Sequence, residues 1–347
     1  MHSLTAAYLD QLAFTAEQVA TLRCLGEYRG KQELFFRQSP QTLKSLRLLA
    51  KIESSESSNR LEGIELSHKK IEELVLRNTV PQDRSEQEIA GYRDVLNLIH
   101  ESSQDIPFTT NIVLQLHDTM YRYMPNPGGR WKATNNEIIE TYLDGTQRIR
   151  FSPVKAHLVP TMMGSMINYY SEAVQQQKQD ALVLIPLVIF DFLCVHPFTD
   201  GNGRISRLLI LLLLYHFDYQ VGRYISIERI FEESKEGYYQ TLETSSKDWH
   251  EGKHNITPWL NYFWGVLLRA YREFEERVGV IATNRGSKTE LIRSTVNRKI
   301  TSFSIANIES ECPGISRDMI RHVLRQMRDE GVLVTTGVGR GAKWKKE

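Results

Sequence analysis

Apolar residues recur at a helical step over most of the chain. In LKSLRLLAKIESSESSNRL, Leu43, Leu46, Leu49 and Ile52 advance three at a time along one face. SHKKIEELVLRN starts on a serine suited to cap a helix and carries Glu72 in its first turns. SEQEIAGYRDVLNLIHES opens with Ser85 and Glu88 at capping-box spacing, and TTNIVLQLHDTMYRYM follows until the breaker cluster PNPGGR. Helical periodicity resumes in VPTMMGSMINYYSEAVQQQ, EGYYQTLETSSKDW and ITPWLNYFWGVLLRAYREFEERVGVIAT. Two runs, ALVLIPLVIF and LLILLLLY, are apolar on every side, yet both fall short of the ~18 residues of a membrane span. They predict helices buried all round in a large core.

One stretch breaks the helical pattern. TNNEIIETYLDGTQRIRFSP holds two short β-prone pieces, EIIETYL and RIRFS, around Asp144-Gly145, which predicts a hairpin over about 136–151. The pattern changes again near Asn284. From there the order reads helix, short helix at SIANIESE, turn at CPG, helix ISRDMIRHVLRQMRDEG, then two strands around a glycine-rich tip. This is the order of a winged helix-turn-helix, with 316–330 as its recognition helix. Three regions follow: an N-terminal helical region (1–105), a core (106–283) and a small C-terminal domain (284–347).

Charge changes this picture in one place. The whole chain of 347 residues carries a net charge of only +1, which announces no nucleic-acid or membrane partner. The last 63 residues, however, hold thirteen basic against seven acidic residues, a balance of +6 that leaves the remainder near −5. Arg317, Arg321, Arg325 and Arg328 form a basic stripe on the recognition helix, which suits either DNA or protein docking. Cys24, Cys194 and Cys312 lie far apart and match no metal or disulfide spacing, so reduced thiols in a cytoplasmic protein are expected. The N-terminus lacks a basic start followed by an apolar run, so no signal peptide is expected.

The chemistry concentrates in HPFTDGNGRISR, 196–207. Gly201 and Gly203 allow close backbone approach to a ligand, and the following helix presents free N–H groups and its positive dipole end. Arg204 and Arg207 stand i and i+3 on that helix and are suited to clamp further phosphates. Asp200 is suited to Mg²⁺, which binds through one or two carboxylates plus substrate phosphates, and Asn202 to donate to a phosphate oxygen. The loop lacks the lysine and Ser/Thr of a P-loop and begins instead with His196, whose ordinary pKa near ~6.5 suits a general base. A histidine there would deprotonate an incoming hydroxyl while the loop holds the phosphorus under attack.

HPFTDGNGRISR resembles the Fic signature HPFx[D/E]GNGRxxR at every specified position. The resemblance extends over roughly 35–275 through SSNRLEGI, EIAGYRDVL, LHDTM, PGGRWK, the hairpin, KEGYYQTLE and WLNYFWGVLLRAY. It implies a mainly α fold: a Fic-type helical core with a β-hairpin flap that aligns a target segment by strand addition. It implies transfer of AMP from ATP, with Mg²⁺, to a Ser, Thr or Tyr hydroxyl of a target protein. On that resemblance His196 is the base, Phe198 anchors the loop and Asp200 coordinates Mg²⁺. Gly201, Asn202 and Gly203 form the anion hole, Arg204 and Arg207 hold the outer phosphates, and Tyr238 and Tyr239 match a tyrosine pair beside the nucleotide. SSNRLEG resembles the family's inhibitory motif [S/T]xxxE[G/N], with Ser58 and Glu62 in its named places and Glu62 expected to pair with Arg207. The intact GNGR favours AMP over phosphate transfer. The alternatives are transfer of another nucleotide or phosphate, AMP removal supported by Glu62, or a DNA-binding regulator whose core senses nucleotide. A homodimer inhibited in trans is compatible with the sequence.

Overall fold

The computed structural model describes residues 3–38, 40–77, 79–141, 144–282, 287–297, 299, 302–312, 315–336 and 343–346. Helices dominate. They are α1 (Ala6–Leu9), α2 (Ala16–Gln38), α3 (Pro40–Arg60), α4 (His68–Arg77), α5 (Arg84–Ser102) and α6 (Thr110–Met120). The strands β1 (Ile138–Thr141) and β2 (Gln147–Phe151) follow, then α7 (Val159–Gln176), α8 (Ala181–Val195), α9 (Asn202–His216), α10 (Ile227–Glu233), α11 (Lys235–Ser246) and α12 (Thr257–Ala282). The chain continues through α13 (Ser287–Asn297), α14 (Ile305–Glu311), α15 (Arg317–Asp329), β3 (Leu333–Thr336) and β4 (Lys343–Lys346). Parts of three sequence expectations lie outside the described residues: the composition shift at 284–286, the turn at 313–314 and the glycine-rich tip at 337–342.

Two compact units form: Met1–Gly30 with Leu48–Tyr271, and Lys31–Arg47 with Arg272–Glu347. In the first, α8 and α9 are buried on almost every side, as their unbroken apolar runs predict. Pro186 lies inside α8 and has no N–H for the Leu182 carbonyl one turn back. Trp264 supplies the missing donor, its Nε1 standing 2.8 Å from that oxygen. Trp259 Nε1 bonds the Pro186 carbonyl at 2.8 Å. Further along α8, the fully buried Asp191 accepts Ser3 Oγ (2.5 Å) and Trp249 Nε1 (2.7 Å). Burial still raises its pKa to about 6 against those donors.

Ile52, Ile71, Leu74, Val75 and Ile89 form a small core joining α3, α4 and α5. The start of α5 differs from the expected capping box. Asp83 is the cap and accepts the Glu86 N–H at 2.9 Å, while Glu86 reaches back to the Gln82 N–H at 2.8 Å. Asp83 is an equally good cap placed two residues earlier, so the helix begins there and Glu88 is released for another partner.

The hairpin is antiparallel, with Ile139 opposite Ile149 and Thr141 opposite Gln147. Its turn is set by Gly145 at φ 82° and by Asp144 Oδ1, which accepts the Thr146 N–H at 2.9 Å. In the second unit, three helices and an antiparallel strand pair enclose a core that includes Ile308, Val323, Leu324, Leu333 and Trp344. Ser316 caps α15. Three arginines of its stripe meet carboxylates: Arg317 with Glu309 (3.4 Å), Arg321 with Asp318 (3.1 Å) and Arg328 with Asp329 (2.8 Å). Among the described residues no helix is long and apolar enough to cross a membrane.

Candidate functional site

The loop between α8 and α9 is shaped by its own side chains. Gly201 takes φ 80° as the N-cap of α9, and a Cβ there would stand 2.7 Å from Met120 Cε. Asn202 does not point its amide outward. Its Oδ1 accepts the Phe198 N–H (2.9 Å) and its Nδ2 donates to the Phe198 carbonyl (2.8 Å), so it braces the turn. Phe198 is fully buried and stacks on His117 with ring centroids 3.7 Å apart. His117 in turn accepts the Gly129 N–H at Nδ1 (2.9 Å), which leaves Nε2–H to donate to the Asp200 carbonyl (3.1 Å). Burial drops the pKa of His117 to about 4, which suits this neutral form.

His196 ends α8 in the left-handed region, at φ 50° and ψ 61°. A non-glycine residue in that region is strained, and such strain clusters at functional sites. Burial, then the charge of Lys132, lowers its pKa to about 4, so the ring is a neutral base at pH 7. Lys132 was not among the residues singled out in the sequence. It is 4% exposed, and desolvation alone lowers its pKa to about 8.

The two arginines diverge. Arg204 is buried and bonds Glu88 at 2.7 Å, with Asn59 Oδ1 and the Tyr121 hydroxyl each 3.4 Å away. Arg207 is 1% exposed; its Nε donates to Ser58 Oγ (2.9 Å) and its Nη2 to the Ser58 carbonyl (2.8 Å) and Glu62 Oε1 (2.7 Å). Burial opposes its charge most strongly, but Glu62, Tyr238 and Tyr92 together outweigh it and hold its pKa above the ordinary value. Gly63, at φ 80°, turns the chain beyond α3 so that Glu62 reaches back to Arg207. Asp200 keeps a 62% exposed side chain. Its Oδ1 accepts the Gly201 N–H (2.7 Å) and its Oδ2 the Tyr121 hydroxyl (2.9 Å). Burial raises its pKa, and Arg204, Tyr121 and Gly201 together bring the net value below normal.

A cavity of about 540 Å³ opens against the N-terminus of α9. Of the predicted site residues it gathers His196, Gly203, Arg207, Glu62, Tyr238 and Tyr239. Asp200, Gly201, Asn202, Arg204 and Ser58 do not line it. A Cβ on Gly203 would overlap Glu62 Oε1, so glycine is required while Glu62 occupies this place. The far wall is the hairpin, through Ile138, Ile139, Glu140, Arg150 and Phe151, facing Leu242 and Glu243 of α11. A cluster of charges joins hairpin to helix: Arg148 bonds Glu140 and Glu243 at 2.8 Å each, and Arg150 bonds Glu140 at 2.5 Å. Tyr239 lies under Arg150 at 5.6 Å and Tyr238 packs into the core on Phe231.

Comparison with known proteins points one way. Residues 107–214 match the model of the Fic/DOC family. The protein adenylyltransferase fic-1 of Caenorhabditis briggsae is 22% identical over 163 residues, 47% of this chain and 29% of that protein. The chain thus spans less than a third of that relative. A Fic family protein from Desulfovibrio desulfuricans superposes with a TM-score of 0.61 at 18% identity, covering 97% of each chain. A Fic domain-containing signaling protein from Bacteroides thetaiotaomicron gives a TM-score of 0.61 at 22% identity, covering 74% of this chain and 97% of the other. At these identities the two structures speak for the fold.

Proposed function

Starting from a chain whose residues 107–214 are a Fic/DOC family domain, we propose that it transfers AMP from ATP to a Ser, Thr or Tyr hydroxyl of a target protein. The observation that carries this reading is a neutral, half-buried histidine and an arginine sharing one cavity at a helix N-terminus. His196 accepts the proton of the target hydroxyl. The hydroxyl oxygen then bonds the α-phosphorus, and the bond to the β-phosphate oxygen breaks to release pyrophosphate. First-turn N–H groups of α9, which have no intrahelical partner, receive the developing charge. Arg207 holds the outer phosphates, and Tyr239 stands at the wall where the nucleotide rests.

The family resemblance implies Mg²⁺ beside the phosphates. Among the described residues no group of three or more His, Cys, Asp or Glu could hold a metal. One exposed carboxylate, Asp200, is held below its normal pKa and fixed by Tyr121. That fits a cation whose other ligands are water and substrate phosphate. Asp200 would hold it, and it would neutralise phosphate charge.

Glu62 occupies Arg207 in this reading and restrains the reaction until it is displaced. The test is incubation of the chain and its E62G variant with α-³²P-ATP and host lysate, with H196A as control. Label entering protein from α-labelled but not γ-labelled ATP, lost in H196A, is the expected result. Label from γ-ATP, or no label from either variant, would reject AMP transfer.

A further inference from the structure

Lys132 lies before the hairpin and outside the cavity lining, yet it grips the carbonyls of both residues next to His196. Its Nζ donates to the Val195 carbonyl at 3.3 Å, and its backbone N–H donates to the Pro197 carbonyl at 2.8 Å. The Nζ is itself held by Asn136 Oδ1 at 2.7 Å. Asn136 Nδ2 reaches the Phe198 carbonyl at 3.5 Å, so residues 132 and 136 together hold the carbonyls of 195, 197 and 198. Among the described residues no carboxylate pairs with this buried ammonium, and an uncompensated buried cation is costly. A methylene chain with a neutral end would fill the same space more cheaply.

We propose that Lys132 is a positioning residue for His196: it fixes the strained backbone that aims the imidazole, and its positive charge repels an imidazolium there. The proposal rests on the reading of His196 as the base. The other charges that act on His196 are Glu62 and Asp200, both favouring protonation, so Lys132 is the cation that opposes them. Arg207 lines the same cavity but spends its charge on Glu62.

Two readouts separate this role from mere structure. In the E62G background, K132M is expected to lower kcat about tenfold while KM for ATP stays within about twofold, because base alignment and not nucleotide contact is lost. K132R, which keeps the charge, is expected to recover most of that loss. Independently of activity, NMR titration of the His196 ring, assigned with H196A, is expected to move upward by about one unit in K132M relative to the parent and K132R. An unchanged midpoint in a folded K132M would overturn the electrostatic part. An unchanged kcat, or a loss confined to KM, would overturn the positioning part. If K132M does not fold, the same comparisons are made with N136A, which removes the ammonium's anchor and keeps the charge. It is then expected to lower kcat without moving the midpoint, and an unchanged kcat rejects the clamp. Should E62G itself transfer no label, the proposed function fails while the titration still decides the role of Lys132.

Discussion

Replacing Glu62 by glycine should do two opposite things. In the native structure Glu62 Oε1 sits 2.7 Å from Arg207 Nη2, on a guanidinium only 1% exposed. A hydrogen bond to a charged group contributes about 1.5–3 kcal/mol, and Glu62 is 30% exposed, which places this one toward the lower end. ATP must displace that contact before its outer phosphates reach Arg207. Removing Glu62 therefore lowers the barrier by about 1.5–2 kcal/mol, or roughly ten- to thirtyfold in transfer at subsaturating ATP. The same change leaves Arg207 without its carboxylate, with Ser58 and Tyr238 among its remaining partners, so the apo protein melts lower. Removing one partner of a buried pair costs up to about 3–5 kcal/mol, less where water enters, as it does beside an open cavity. Differential scanning fluorimetry with and without ATP, set beside α-³²P incorporation, reads both effects. E62G should melt below the parent without ATP and gain more than the parent when ATP is added. Equal transfer by both proteins at matched ATP occupancy would refute the reasoning, as would an E62G protein that melts higher without nucleotide.

Other outcomes follow from single positions. His196 is neutral in the fold with a pKa of about 4 and near ~6.5 when unfolded, so the unfolded chain binds the extra proton and stability falls as pH drops from 6.5 toward 4. Denaturant titrations of parent and H196A should therefore converge over that range by about 3 kcal/mol, and parallel curves would contradict the burial argument. A Cβ on Gly91 would overlap the Met120 carbonyl where α5 meets α6, so G91A should lose more than about 4 kcal/mol or fail to fold, as circular dichroism would reveal. Three of the α15 arginines pair with exposed carboxylates, and such pairs are weak. If the C-terminal unit docks on DNA, retention on duplex should fall steeply with salt, and R321A with R325A should flatten that dependence.

What the sequence disclosed was local. HPFTDGNGRISR is contiguous, so its glycines, histidine and arginines could be read together, and the hairpin announced itself through Asp144-Gly145. The buried runs of α8 and α9 were equally plain, since nothing polar interrupts them. Hidden were the partners from other elements. Glu88 read as half of a capping box, and only the folded chain turns it to Arg204. Asn202 looked like a phosphate donor, yet its amide is consumed by Phe198, because a tight turn must satisfy its own backbone before serving a ligand. Lys132 lies at the end of PGGRWK with no signal beyond its type. Its meaning depends on the carbonyls of 195 and 197, brought to it by the fold.

Pro186 and Trp264 set an order on the making of the molecule. As α8 leaves the ribosome, the proline already denies the Leu182 carbonyl its usual donor, and the replacement indole lies 82 residues further along the chain. Until α12 arrives water must answer that oxygen, and closing a dry core over it without the indole would cost about 1–3 kcal/mol. Closing the core over α8 is therefore more favourable once α12 is in place. The two positions should also be inherited as a pair, for a lineage that loses the proline no longer needs the indole's N–H.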